Sequence, residues 1–162
     1  MITNSAVPEH SQIPADQLMP LDNARVQLAR IWLIGGGLVL VILVVQSLLH
    51  VYGDLTQEAW GWFLPTMMPT SGMIITVLTY TALDPLTSGS VVRRTFFPIA
   101  LWLSIVYLVL VALTILIQPF ASTTPAEAVG LMRTSNLWLG PVQGLVASAL
   151  GVLFVSKQKK DP

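Results

Sequence analysis

The chain has 162 residues, of which 54% are hydrophobic and only 10% charged, with a mean hydropathy of +0.72. A soluble domain carries roughly 25% charged residues. A water-soluble core of this size could not hide so much apolar surface, so lipid is the expected solvent for much of the chain. A formal net charge of zero gives no reason to expect a nucleic-acid partner. The lack of cysteine excludes disulfide staples, thiolate metal sites and thiol–disulfide exchange.

Residues 1–23 are polar and contain Pro8, Pro14 and Pro20. They have neither the basic start nor the apolar run of a cleavable signal peptide, and they read as a flexible cytoplasmic tail. The first span is then expected to act as its own insertion signal.

A helix needs about 20 apolar residues to cross a hydrocarbon core of roughly 30 Å. Four segments qualify, near residues 28–52, 60–83, 95–118 and 135–156. The expected fold is therefore all-α: a polytopic transmembrane bundle of four helices over residues 24–156, followed by a basic cytoplasmic tail at 157–162.

The first span is entered through a helix that Asp22 or Asn23 can cap, and Tyr52-Gly53-Asp54 is its expected end. It contains Gly35-Gly36-Gly37, which inside an apolar helix serves close packing or flexibility rather than phosphate binding. Gln46 and His50 stand four apart and so are expected on one face. They could line a polar path or bind a ligand, or simply supply an interhelical hydrogen bond and an interfacial imidazole. A haem held by two histidines is hard to build, because His10 lies in the tail on the other side.

The second span contains Pro65 and Pro69, each lacking a backbone donor, so a kink or break is expected near its outer end. Thr66, Thr70, Ser71, Thr76, Thr79 and Thr81 add hydroxyls. A small, polar face runs through Pro69, Gly72, Thr76 and Thr79 or Tyr80. It could line a pore or substrate path, or pack closely with each threonine bonded back to its own helix. Asp84-Pro85 ends the span, and Thr87-Ser88-Gly89-Ser90 forms a polar turn.

In the third span Ser104, Tyr107, Val111, Thr114 and Gln118 form one stripe at helical spacing on an otherwise apolar surface. The stripe must meet another helix. After Gln118-Pro119, the sequence Thr124-Pro125-Ala126-Glu127 has the form of a capping box and predicts a short surface helix over about 125–134. In the fourth span Gly140, Gly144 and Ser148 make a small-xxx-small ladder. Asn136, Gly140, Gln143, Ala147 and Gly151 line an adjacent, overlapping edge. This surface suits intramolecular packing or a homo-oligomer seam.

Orientation follows from basic residues near the span ends. Arg25, Arg30, Arg93, Arg94, Lys157, Lys159 and Lys160 share one side, and only Arg133 lies on the other, with Asp54, Glu58 and Glu127. Both termini are therefore expected in the cytoplasm, and the membrane is expected to be a cell inner (plasma) membrane. Trp60, Trp62 and Trp138 then fall near the outer interface and Trp32 near the inner one.

No Asp, Glu, Lys or Arg lies well inside any span, whereas coupled carriers, motors and voltage sensors usually place one there. No nucleophile–base pair, paired carboxylates, metal-ligand cluster or phosphate-binding loop is present, and no cofactor is implied. The expected role is non-enzymatic: an accessory or scaffolding subunit of a larger membrane complex, or alternatively a homo-oligomeric pore. The expected partners are the lipid bilayer and other membrane-embedded protein. The packing or oligomer surface would draw on Gly140, Gln143, Gly144, Ser148, Gly151, Ser104, Tyr107 and Thr114. A polar path would draw on Gln46, His50, Thr66, Thr70, Thr76 and Thr79.

Overall fold

The structure is a computed structural model and describes residues 18–83, 91–93 and 96–155. It is helical, apart from one pairing of two three-residue strands. In chain order, β1 (Leu18–Pro20) leads into α1 (Leu21–Leu48) and a 3-10 turn (Gly53–Leu55) leads into α2 (Thr56–Leu83). β2 (Val91–Arg93), α3 (Phe96–Leu116), the single turn α4 (Gln118–Ala121) and α5 (Pro125–Val155) follow. The parts of the expected tail at 1–17, the polar turn at 84–90 with Arg94, and the basic tail at 157–162 lie outside the described residues, as do the side chains of Tyr80, Thr81 and Arg93.

α1 ends earlier than the apolar pattern suggests. The chain leaves the helix at His50, which adopts φ 56°. The His50 N–H donates to the Ser47 carbonyl at 3.2 Å and the Val51 N–H to the Gln46 carbonyl at 3.1 Å. This is the Schellman arrangement, with histidine where glycine is usual. The apolar run through Val51 and Tyr52 therefore belongs to the connection and not to the helix. Gly53, at φ 51°, completes the reversal, and a side chain there would press on Pro125.

α2 runs through Pro65 and Pro69 without a break. α5 also departs from expectation, because the separate surface helix and the fourth span are one 31-residue helix. Nothing interrupts the junction: Thr134 and Ser135 hydroxyls donate back to the Gly130 and Met132 carbonyls. The start of α5 does carry the capping box. The Glu127 N–H donates to Thr124 Oγ1, while Glu127 Oε2 accepts from the Thr124 and Thr123 N–H groups.

α1 packs on α2 and α3, and α5 packs on the same two helices from the other side. The residue pairs across each seam give the directions. Trp32 stacks near Tyr107, Gly35 faces Leu108 and Gln46 reaches Ile115, so α1 and α3 are parallel. Glu58 meets Arg133, and Pro65 and Thr66 meet Gln143, so α2 and α5 are parallel. Ser47 meets Trp60 and Gly36 faces Met67, so the two pairs oppose each other. Antiparallel pairing of Leu18 with Arg93, Met19 with Val92 and Pro20 with Val91 ties the starts of α1 and α3 together.

The centre is filled by Leu28, Leu43, Phe63, Met67, Tyr107, Leu108, Val111, Leu139 and Val146, all buried. The Gly-Gly-Gly run contributes two close approaches. A Cβ on Gly35 would lie 2.9 Å from a Leu108 methyl, and one on Gly36 would lie 3.1 Å from the Met67 methyl, whereas Gly37 is open. The outward faces of the long helices carry large apolar side chains, among them Ile34, Met68, Trp102 and Leu137. Among the described residues, Asn23–Leu48 and Phe97–Leu116 are the two helices long and apolar enough to cross a membrane.

Candidate functional site

The two prolines of α2 lie beside a polar crevice. In an α-helix the carbonyl of residue i accepts from the N–H of residue i+4. Pro65 brings no N–H to the Gly61 carbonyl, and Pro69 brings none to the Pro65 carbonyl. Both unsupplied acceptors lie on the side of α2 that meets α5. There a crevice of about 270 Å³ is lined by Gly61, Trp62, Pro65 and Thr66 of α2 and by Asn136, Leu139, Gly140 and Gln143 of α5.

The small residues hold the crevice open. Apart from the adjoining backbone of its own helix, a Cβ built on Gly61 or Gly140 meets no described atom within 4 Å. Gln143 spans part of the gap, its Nε2 donating to the Thr66 carbonyl at 3.1 Å and lying 3.5 Å from the Pro65 carbonyl. From the other side of α2 the buried Tyr107 hydroxyl donates to the same Thr66 carbonyl at 2.6 Å. Three helices thus converge on the proline turn. One helical turn nearer the start of both helices, Arg133 forms an ion pair with Glu58.

The remaining residues of the predicted polar path separate. Thr66 and Thr70 are buried, and Thr76 and Thr79 are exposed. Thr66, Thr76 and Thr79 hydroxyls donate back to the Trp62, Gly72 and Ile75 carbonyls. Pro69, Gly72, Thr76 and Thr79 therefore form an outward face of α2 among the described residues.

Gln46 and His50 also part company, because His50 has left the helix. His50 is exposed, with Nδ1 3.1 Å from the Leu48 carbonyl. Gln46 is buried, donates to the Ile115 carbonyl at 3.1 Å and accepts from the Tyr52 hydroxyl. Tyr52 was expected only to mark a helix end, yet it turns back to satisfy Gln46. No spacing rule connects the two once a left-handed residue lies between them.

Ser104, Tyr107, Val111, Thr114 and Gln118 are all buried on the inward side. Ser104 and Thr114 donate to their own helix, at the Ala100 and Leu110 carbonyls. Gln118 is fully buried, and neither its Nε2 nor its Oε1 has a partner. On α5 the ladder divides. Gly140, Gly144 and Ser148 are exposed, Gln143 and Gly151 are half-buried, and no heavy atom lies within 4 Å of a Cβ built on Gly144 or Gly151. Among the described residues, nothing packs closely on Gly144 or Gly151.

The tryptophans differ in their surroundings. Trp32 is in the core, 5.8 Å from the Tyr107 ring, and Trp62 is buried. Trp60 donates to Ser47, and Trp138 stands exposed. Among the described residues no group of three or more His, Asp or Glu could hold a metal. The crevice offers hydrogen-bonding groups, with one hydroxyl, that of Thr66, and no titratable side chain on its walls. No family model, curated protein or solved structure matches the chain.

Proposed function

We propose that the chain is a four-span integral membrane protein with both termini cytoplasmic. Its role is non-enzymatic, as an accessory or scaffolding subunit that docks against other membrane helices. The supporting observation is the outward position of Gly140, Gly144 and Ser148, whose close-approach surface is not used among the described residues. Glycines at such spacing let a second helix backbone come near, which is how helices associate when lipid removes the hydrophobic drive. The apolar exteriors of α1, α2, α3 and α5 fit lipid as the surrounding solvent. α5, at about 1.5 Å per residue, is longer than the roughly 30 Å core, so its capped first turns extend beyond the hydrocarbon.

The test is the mass and composition of the natively extracted particle. Co-purifying chains that are lost on Gly144→Leu support a docking subunit. A single monomeric species unaffected by that substitution refutes it. The absence of native cysteine makes topology directly readable. Single cysteines at Gln57 and Lys157 should label from opposite sides of the membrane.

A second reading, a homo-oligomeric pore, draws on the outward Pro69, Gly72, Thr76 and Thr79. Phe63, Met67, Tyr107 and Leu108 occupy the centre of the single chain, so the path would run between copies. Ion flux through liposomes that is abolished by Thr76→Leu would favour it.

A further inference from the structure

The crevice between α2 and α5 has a hydrogen-bonding balance that selects its occupant. Its acceptors are the Gly61 and Pro65 carbonyls, deprived of helical donors, together with the side-chain oxygens of Asn136 and Gln143. Its donors are fewer. Gln143 Nε2 is engaged with Pro65 and Thr66, and the Thr66 hydroxyl is committed to the Trp62 carbonyl. Asn136, exposed on α5, has a free amide, whereas the indole N–H of Trp62 is buried away from the crevice. An occupant must therefore bring hydrogen-bond donors.

It must also be uncharged where it enters. No carboxylate lines the crevice, and Glu58, one turn away along α2, is engaged by Arg133. An ammonium placed there would lose its hydration without a counter-charge. Hydroxyl groups meet both requirements. The volume of about 270 Å³ is slightly below the usual range for drug-sized ligands and suits a small polyol.

From these features we infer that the crevice is a binding site for a glycerol-type polyhydroxyl group. Two sources carry that chemistry, the headgroup of a phosphatidylglycerol lipid and a free polyol. The lipid source rests on the four-span reading above. It is favoured by Arg133, whose guanidinium has five N–H donors and stands one turn above Asn136. A single carboxylate cannot occupy all five, which leaves N–H groups for a phosphodiester.

Native mass spectrometry of the full chain, in mild detergent doped with one lipid at a time, tests the inference. The lipids share acyl chains and are phosphatidylglycerol, phosphatidic acid, phosphatidylethanolamine and phosphatidylcholine. Phosphatidylglycerol should be retained about tenfold over each of the others, as one or two added hydrogen bonds imply. Asn136→Leu and Gly140→Leu should each bring that ratio close to one. Asn136 is exposed, so its variant keeps the fold even where the larger change at Gly140 does not. Displacement by excess glycerol would support the polyol as sufficient alone, and resistance to it would support the lipid as the ligand.

Equal retention of phosphatidylglycerol and phosphatidic acid, a preference for phosphatidylethanolamine, or unchanged selectivity in the Asn136 variant would overturn the inference. Cysteine labelling reads the four-span topology separately, so either can fail while the other stands.

Discussion

Replacing Tyr107 by Phe and Gln143 by Leu, singly and together, asks whether the Thr66 carbonyl is the hub of the packed core. Two side chains from different helices donate to this one atom, at 2.6 Å and 3.1 Å. Each single variant removes one donor and leaves the other. Interhelical hydrogen bonds in membranes are worth about 0.6 kcal/mol on average and at most about 1.7 kcal/mol, so each single loss should fall in that range. The double variant strips the carbonyl of both side-chain donors in the turn that Pro69 interrupts. With both gone the carbonyl keeps only its helical donor, the Thr70 N–H, and neither side chain can compensate for loss of the other, so the pair should cost at least about 0.5 kcal/mol more than the sum of the singles. Phe at 107 keeps the ring that lies 5.8 Å from Trp32, so the change reports the hydroxyl alone. Reversible unfolding in mixed micelles, followed by near-ultraviolet circular dichroism, measures all four proteins. Additivity to within about 0.3 kcal/mol would refute a shared acceptor.

The glycines of α1 should respond in opposite directions. Gly35→Ile drives atoms into Leu108 and should cost about 1–3 kcal/mol, whereas Gly37→Ala, in open space, should gain up to about 1 kcal/mol, both read by the same unfolding assay. Gly53→Ala should destabilise by about 1–2 kcal/mol, because its backbone at φ 51° is left-handed and its new methyl group would press on Pro125. The Thr123 backbone N–H, with further hydrogen bonds from Thr123 and Thr124, holds the Glu127 carboxyl below its ordinary value of 4.5. A lowered folded-state value stabilises above the unfolded pKa and is lost as pH falls through the folded one. Hydrogen exchange at the Glu127 and Ala128 amides, corrected for intrinsic rate, should therefore speed up below about pH 4. Glu127→Gln should flatten that dependence.

The sequence made local features legible and left the pairings obscure. Thr124 and Glu127 are three apart, and their reciprocal bonds need nothing beyond that spacing. The stripe from Ser104 to Thr114 likewise identifies one side of α3, and that side, with Gln118 at the start of α4, is buried. Spacing cannot say where a helix stops when apolar residues continue through the turn. His50 ended α1 at a position that hydropathy assigns to its interior, and so separated itself from Gln46. Nor can spacing tell an inward small-residue ladder from an outward one. Gly140 and Gly144 read as an interface in either case, and only the placement of Leu139, Val146 and Leu150 inward turns them out. The crevice needed both pieces of information: the carbonyls that Pro65 and Pro69 leave free, and the arrival of Gln143 from 77 or 78 residues away. Strands of three residues are too short for alternation to reveal, so β1 and β2 carried no signal.

The ladder between β1 and β2 bears on the order in which the chain can assemble. Leu18 precedes α1 and Arg93 precedes α3, so its partners are separated by both α1 and α2. Closing so long a loop costs entropy before any contact repays it, and such contacts form late. The first helical hairpin must therefore exist with β1 unpaired, and the ladder closes only when the start of α3 arrives beside α1. It is a clasp that records completion. Protection of the Met19 and Val92 amides from solvent exchange would mark the molecules in which the third helix has docked, and its delay behind the protection of α1 and α2 would time that step.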